Sequence, residues 1–324
     1  MKKTVICSVL MVASVAALVT GCGVTSPDMS MDFPFYFLQD VSTASAPVHC
    51  CYLGPGHDGV AASDSLYFLD YRYGYCLARV DLQGYTVEDL CATSDGGYAA
   101  VLCGNLLFYV SDGTYVVHEP VTLGSYGSLL LAPPPKGSLH LYSLGSGGIV
   151  TTVNTQSWDV VSVDTIPGLS KPVAAAISSD GTAMFIADGD DDTVKKISTG
   201  NPGTVLAECH VPGGISCMCG GHGNLVYASL DSLDQVWGID VGTGKHYSTL
   251  QAPGRAVSMA VTPDEKYIYV AGGNGGGLTV VNLREGDVEV STNSYGVVAD
   301  VAINGSGDRA LLCSNLDKII TLQK

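Results

Sequence analysis

Through most of the chain, small and apolar residues alternate with polar ones in short runs, and Gly, Asp and Asn break the runs apart. A period of two is the side-chain alternation of a β-strand, and Gly and Asp supply the backbone angles that tight turns need. Met184 to Ala187, Val226 to Ala228, Tyr267 to Ala271 and Ala310 to Cys313 are apolar strands, and turn signals such as Asp180-Gly181, Gly221-His222-Gly223 and Gly305-Ser306-Gly307 stand before them. Upstream of those turns lie further alternating strands, so the unit is a hairpin. Third strands follow at Thr193 to Ile197, Gln235 to Asp240, Leu278 to Leu283 and Lys318 to Leu322, and fourth strands at Val205 to Cys209 and Val288 to Ser291.

The pattern repeats. Lys171 to Asp180 aligns with Arg255 to Asp264 at an offset of 84 residues, two units of about 42, the spacing of a four-stranded propeller blade. Ile215 to Cys219 occupies the intermediate register and Gly296 to Ile303 the next one. In the less regular first half, one blade is read at Gly59 to Ser63, Leu66 to Leu69, Cys76 to Val80 and Thr86 to Leu90. A second is read at Tyr98 to Cys103, Leu106 to Val110 and Thr114 to His118, and a third from Ser128 to Thr165. The last blade stops at Lys324 after three strands, so its fourth must come from elsewhere, and Val48 to Leu53 is the expected donor. The predicted fold is an all-β, seven-bladed β-propeller of four-stranded antiparallel blades whose ring is closed by an N-terminal strand, which removes an exposed edge.

The best copies, Thr262-Pro263-Asp264 with Tyr267-Ile268-Tyr269-Val270-Ala271 and Ser178-Ser179-Asp180-Gly181 with Phe185-Ile186-Ala187-Asp188, resemble the YVTN or lactonase-like propeller family. Trp237 to Lys245 is similar to a quinoprotein-type propeller repeat. The likeness covers about residues 170 to 324 and resides in strands and turns, so it implies a fold and transfers no catalytic residue.

The N-terminus follows a different pattern. Lys2 and Lys3 precede an apolar run from Val5 to Val19, the length of a signal h-region and too short to span a bilayer comfortably. Leu18-Val19-Thr20-Gly21-Cys22 resembles the lipobox of bacterial lipoproteins. That resemblance implies cleavage before Cys22 and acylation of that cysteine, with several acyl chains giving firm anchoring. Residues 1–21 are then a signal peptide, 22–32 a lipidated tether and 33–324 a single propeller domain. Gly23 after the cysteine favours the outer membrane, with the face it occupies left open.

With 46% hydrophobic and 14% charged residues, the chain can bury a large core, which excludes disorder as its main state. The formal charge is −16, and removal of Lys2 and Lys3 leaves 13 bases against 31 acids. Nucleic acid is therefore not an expected partner, since phosphate needs a basic surface. Eleven cysteines fall to nine without Cys7 and Cys22. Cys217 and Cys219 stand where the repeat has Ala175 and Ile177; the readings are core residues, a disulfide, or a metal site with His210 or His222. Adjacent Cys50 and Cys51 point to opposite faces of a strand. Asp188, Asp190 and Asp192 lack the Gly and Glu of a calcium loop and read as an acidic loop.

No nucleophile elbow, zinc-protease or P-loop motif is present, and no metal or cofactor is predicted. Lys171 and Arg255 share a repeat position at the start of the innermost strand, where two cations could bind a carboxylate or phosphate, or else each could pair with a local acid such as Asp300. Tyr71-Arg72-Tyr73-Gly74-Tyr75 is an aromatic hairpin tip of the kind that makes partner contacts. The expectation is a monomeric, non-catalytic envelope scaffold, held to the membrane by lipid at Cys22 and binding a protein, glycan or small ligand. The alternative is a lactonase-like or quinoprotein-like enzyme acting at the axial pocket.

Overall fold

The computed structural model describes residues 36–53, 59–70, 72–133, 139–251, 255–272 and 276–324. Its strands, in chain order, begin with β1 (Tyr36–Ser42), which stands apart from its sequence neighbours. The first blade is β2 (His49–Tyr52), β3 (Gly59–Ala62), β4 (Ser65–Leu69) and β5 (Cys76–Asp81), and the second is β6 (Asp89–Ala92), β7 (Tyr98–Cys103), β8 (Leu106–Ser111) and β9 (Val121–Thr122). The third is β10 (Gly127–Leu131), β11 (His140–Gly145), β12 (Ile149–Asn154) and β13 (Val160–Thr165); the fourth is β14 (Pro172–Ile177), β15 (Ala183–Asp188), β16 (Thr193–Ser198) and β17 (Asn201–His210). The fifth is β18 (Ile215–Gly220), β19 (Leu225–Leu230), β20 (Gln235–Asp240) and β21 (Lys245–Gln251), and the sixth is β22 (Ala256–Val261), β23 (Tyr267–Gly272), β24 (Leu278–Asn282) and β25 (Val288–Thr292). The seventh holds β26 (Val298–Ile303), β27 (Arg309–Ser314) and β28 (Lys318–Gln323), with β1 antiparallel to β28 as its outer strand.

These are seven four-stranded antiparallel sheets, six of them paired in sequence order and the seventh completed by β1. The first strands touch one another in turn, β2 to β6, β10, β14, β18, β22, β26 and back to β2, so the sheets form a ring: a seven-bladed β-propeller. One three-residue turn of 3-10 helix, Ser146–Gly148, is the helical element among the described residues. Second strands such as β15, β23 and β27 are buried at every position, because a middle strand is covered on both faces by neighbouring blades. Hydrophobic clusters accordingly span blade boundaries; Phe68 and Val80 of the first blade pack with Leu90 and Val101 of the second. Where inner strands crowd together, side chains shrink. A Cβ on Gly220 at the end of β18 would lie 2.3 Å from the Ile177 carbonyl oxygen at the end of β14.

The ring is closed by an N-terminal strand, but the donor is β1 and not Val48 to Leu53. That segment is the inner strand of the first blade, so the assignments of the first two blades are displaced by one strand, whereas Ser128 to Thr165 falls in phase as the third blade. Thr86 to Leu90 leads into the inner strand of the second blade, and Thr114 to His118 is a connecting loop joined to β8 by the single bridge Val110 to Val117. Tyr36 to Ser42 escaped notice because Gln39 and Asp40 interrupt its apolar alternation. Its register contains a bulge between Phe37 and Gln39, and Asp40 pairs with Lys318 at 2.6 Å.

In this arrangement the loops entering the inner strands and the turns from second to third strands lie on one face, here the upper. The turns from first to second and from third to fourth strands lie on the other. Ser/Thr-x-Asp or Asn-x-x-x-Asp turns recur on the lower face: Asp95, Asp180 and Asp264 each accept a hydroxyl from Thr93, Ser178 and Thr262, and Asp308 accepts the Asn304 amide.

Candidate functional site

Five inner strands carry a bulge near their upper end, with the register shifting just before Leu129, Ala174, Cys217, Ser258 and Asp300. In the first two blades the same two-to-one pairing places His49 opposite Ala62 with Val48, and Asp89 opposite Leu102 with Glu88. These seven equivalent positions form a tier around the axis. Three blades supply apolar residues or a thiol, whereas the contiguous blades six, seven, one and two supply Ser258, Asp300, His49 and Asp89.

The inner edge of each blade presents backbone N–H groups with no fifth strand to accept them. The polar tier accepts them across blade boundaries. Asp300 Oδ2 accepts the Cys50 N–H at 2.7 Å, and Asp89 Oδ2 accepts the Leu130 N–H at 2.7 Å. Ser258 Oγ donates to Asp300 Oδ1, and His49 Nδ1 lies 3.7 Å from Asp89 Oδ1. Each carboxylate also takes the N–H of the residue after it, Val301 and Leu90, both at 2.8 Å. Burial raises both carboxyls. Asp89 is pushed up to about 6 despite the N–H groups of Leu130 and Leu90 and the nearby His49. Asp300 is raised by burial against the opposing hydrogen bonds of Ser258 and Cys50. The tier can hold or release protons near the axis and ties the first and last blades together. Among the described residues no cluster of His, Cys, Asp and Glu has the geometry to hold a metal ion.

Lys171 and Arg255 both stand on the upper face, on blades four and six. Arg255 makes a two-pronged contact with Asp231, its Nε 3.0 Å from Oδ1; Asp300 is already engaged by Ser258 and Cys50 and is not its partner. Lys171 lines a shallow groove of about 350 Å³ with Glu88, Tyr126, Ser128 and Ser146, and this groove does not include Arg255. The Lys171 backbone is fixed by Asp188, whose carboxylate accepts the N–H groups of Ser170 at 2.8 Å and Lys171 at 3.1 Å. Burial raises Asp188, but those N–H groups and that of Asp190 outweigh it, leaving its carboxyl below the usual range. One member of the acidic loop is therefore a buried brace for the upper face.

Cys22 and Tyr71 fall outside the described residues. Arg72, Tyr73 and Tyr75 form the turn from third to fourth strand of the first blade, on the lower face. Asp70 Oδ1 accepts the N–H groups of Arg72 at 2.7 Å and Tyr73 at 3.0 Å, and Gly74 takes the left-handed conformation with φ of 72°. The Tyr73 and Tyr75 rings stack with centroids 6.0 Å apart and remain 61% and 45% exposed.

The nine described cysteines are free thiols. Cys217 belongs to the core cluster between blades five and six, with Cys219 packed against it, and burial pushes the Cys217 thiol up to about 12. Cys50 and Cys51 enter different clusters on opposite sides of β2. Two features escaped sequence reading. The axial tier was hidden because the first two blades were out of phase; with β2 and β6 restored, His49 and Asp89 align with Ser258 and Asp300. The second is an aromatic stack on the lower face, with Tyr109 3.7 Å from Trp158 and 4.7 Å from His118, and Tyr98 edge-on to all three. Nothing in the linear pattern brings these rings together.

No protein-family model matches the chain. Among curated proteins it is 27% identical over 190 residues to the pre-rRNA-processing protein crb3/ipi3 of Schizosaccharomyces pombe, a match covering 52% of this chain and 38% of that protein. Among solved structures it superposes on a chain of the mitotic checkpoint complex with a TM-score of 0.75 and 14% identity, over 92% of this chain and 95% of that one. At that identity the likeness is one of fold. The class defined by the fold is a seven-bladed β-propeller.

Proposed function

We propose that this protein is a non-catalytic, lipid-anchored envelope scaffold, attached through Cys22 and offering its upper face to a partner protein. The observation that carries the binding role is the division of polar chemistry. The buried axial carboxylates are consumed in joining blades, whereas Lys171, Glu88 and the 69%-exposed Tyr126 border an open groove. An exposed Tyr beside a cation and an anion is the composition of a contact surface. The anchor is supported by the likeness of Leu18 to Cys22 to a lipobox, and the YVTN resemblance of the later blades is compatible with an exported propeller.

The test is the mass of protein extracted from membranes with gentle detergent. A chain beginning at Cys22 and carrying acyl groups is expected, and Cys22→Ser should leave the signal segment attached. An unacylated chain starting at Met1 would overturn the anchor. For the scaffold role, crosslinking in intact cells should yield a partner adduct that Tyr126→Ala with Lys171→Ala reduces; hydrolysis of lactones or oxidation of alcohols by the purified chain would overturn it.

A further inference from the structure

Following β1 backwards gives the direction from which the anchored segment arrives. Tyr36 pairs with Gln323 and Ser42 with Lys318, and Gln323 lies at the lower end of the third strand of blade seven. The chain therefore enters the domain at its lower rim. The tip of the first blade is its immediate neighbour, since a Cβ on Gly74 would lie 3.1 Å from Gln39 Cβ and 3.3 Å from Thr321 Oγ1. Tyr73, Tyr75 and, two residues further on, Leu77 are all exposed at this corner.

Thirteen residues separate Cys22 from Tyr36, a span of at most about 50 Å when fully extended and about 20 Å for a coil of that length. A domain of this size is about 50 Å across. The lower rim lies within the mean reach of such a leash, whereas the upper face meets lipid only when the leash is drawn out around the domain, at a cost in chain entropy. Tyr is a side chain suited to the membrane–water boundary, with an apolar ring and a polar tip. The Asp70 bonds and Gly74 hold the pair ready, so little ordering is lost on contact. Asp95, Asp180, Asp264 and Asp308 occupy turns elsewhere on the same face, which favours contact at one corner over contact across the whole face.

We infer that the Tyr73–Tyr75 corner rests on the lipid headgroups, tilting the propeller so that the groove at Lys171 faces away from the membrane. This rests on the acylation of Cys22. It is tested by hydroxyl-radical footprinting of the full acylated protein on phosphatidylcholine vesicles against the chain from Gly23 onward, without signal segment or acyl groups, in solution, read by mass spectrometry. Oxidation of Tyr73 and Tyr75 should fall by roughly threefold or more on vesicles, with Tyr126 on the upper face unchanged. Tyr73→Ser with Tyr75→Ser should still float with vesicles but lose the protection of Leu77. Acylated protein that floats with Tyr73 and Tyr75 oxidised as in solution, or with Tyr126 protected instead, overturns the orientation alone and leaves the corner to a protein partner. Failure of wild-type protein to float overturns the anchor and the orientation together.

Discussion

The carboxylate of Asp300, on the innermost strand of the last blade, accepts the backbone N–H of Cys50, on the innermost strand of the first, at 2.7 Å. It joins parts of the chain 250 residues apart at the seam where the first blade meets the last. Asp300→Ala leaves that N–H and the Ser258 hydroxyl without their acceptor and should cost about 1–3 kcal/mol. Asp300→Asn, which keeps an acceptor, should cost less. Urea unfolding of the two variants checks the order; an Ala variant as stable as the parent would refute the role.

Asp89 gives a pH signature of unusual sign. Its folded carboxyl titrates at about 6, raised by burial, above the usual unfolded value near 4. Between these values the folded state binds more protons, so this group's contribution is fully present below about pH 4 and is lost as the pH rises to 6. Asp89→Asn should gain on the parent by roughly 2–3 kcal/mol across that window. Asp180 acts oppositely: hydrogen bonds from Ser178 and Thr182 hold it at about 2, and its support is lost as pH falls towards that value. Parallel denaturation series from pH 2 to 7 measure both trends, Asp180 below pH 4 and Asp89 between pH 4 and 6.

Gly220→Ala forces a methyl against the Ile177 carbonyl oxygen, backbone against backbone, where neither inner strand can yield cheaply. A loss of about 1–3 kcal/mol is expected, with the same fold by circular dichroism. Thermal unfolding of Gly223→Ala, at a position with open space but φ of 63°, separates crowding from the smaller cost of a left-handed backbone.

Removal of residues 36–42 strips blade seven to three strands and bares the β28 edge with Ile319, Ile320 and Leu322. Open edges recruit other chains. The truncated protein should elute as aggregates and lose cooperative unfolding, as light scattering and calorimetry would record; a monodisperse, cooperatively folding product would show that β1 is dispensable.

The later blades were legible because Ala174 and Ser258 share a repeat phase, and buried second strands such as Tyr267 to Gly272 read as unbroken apolar runs; Cys217, aligned in the sequence with Ala175, falls one residue earlier, at the position of Ala174. The early blades were not, since β9 has only two residues and the β1 alternation is broken by polar residues at the rim. Mis-phasing by one strand concealed the axial tier, although all four of its residues are plain in the sequence. Arg255 was placed correctly on its strand, but its pairing with Asp231 depends on how the β19–β20 turn folds back, which strand spacing does not report.

The strand that fastens the ring is made before the other propeller strands and its counterpart, β28, after them. Until β28 emerges, the earlier segment has nothing to clasp, and a product terminated before it keeps an unmated rim. Translation through β28 is thereby a condition of the closed ring, which separates chains that contain it from shorter fragments by a test of shape alone.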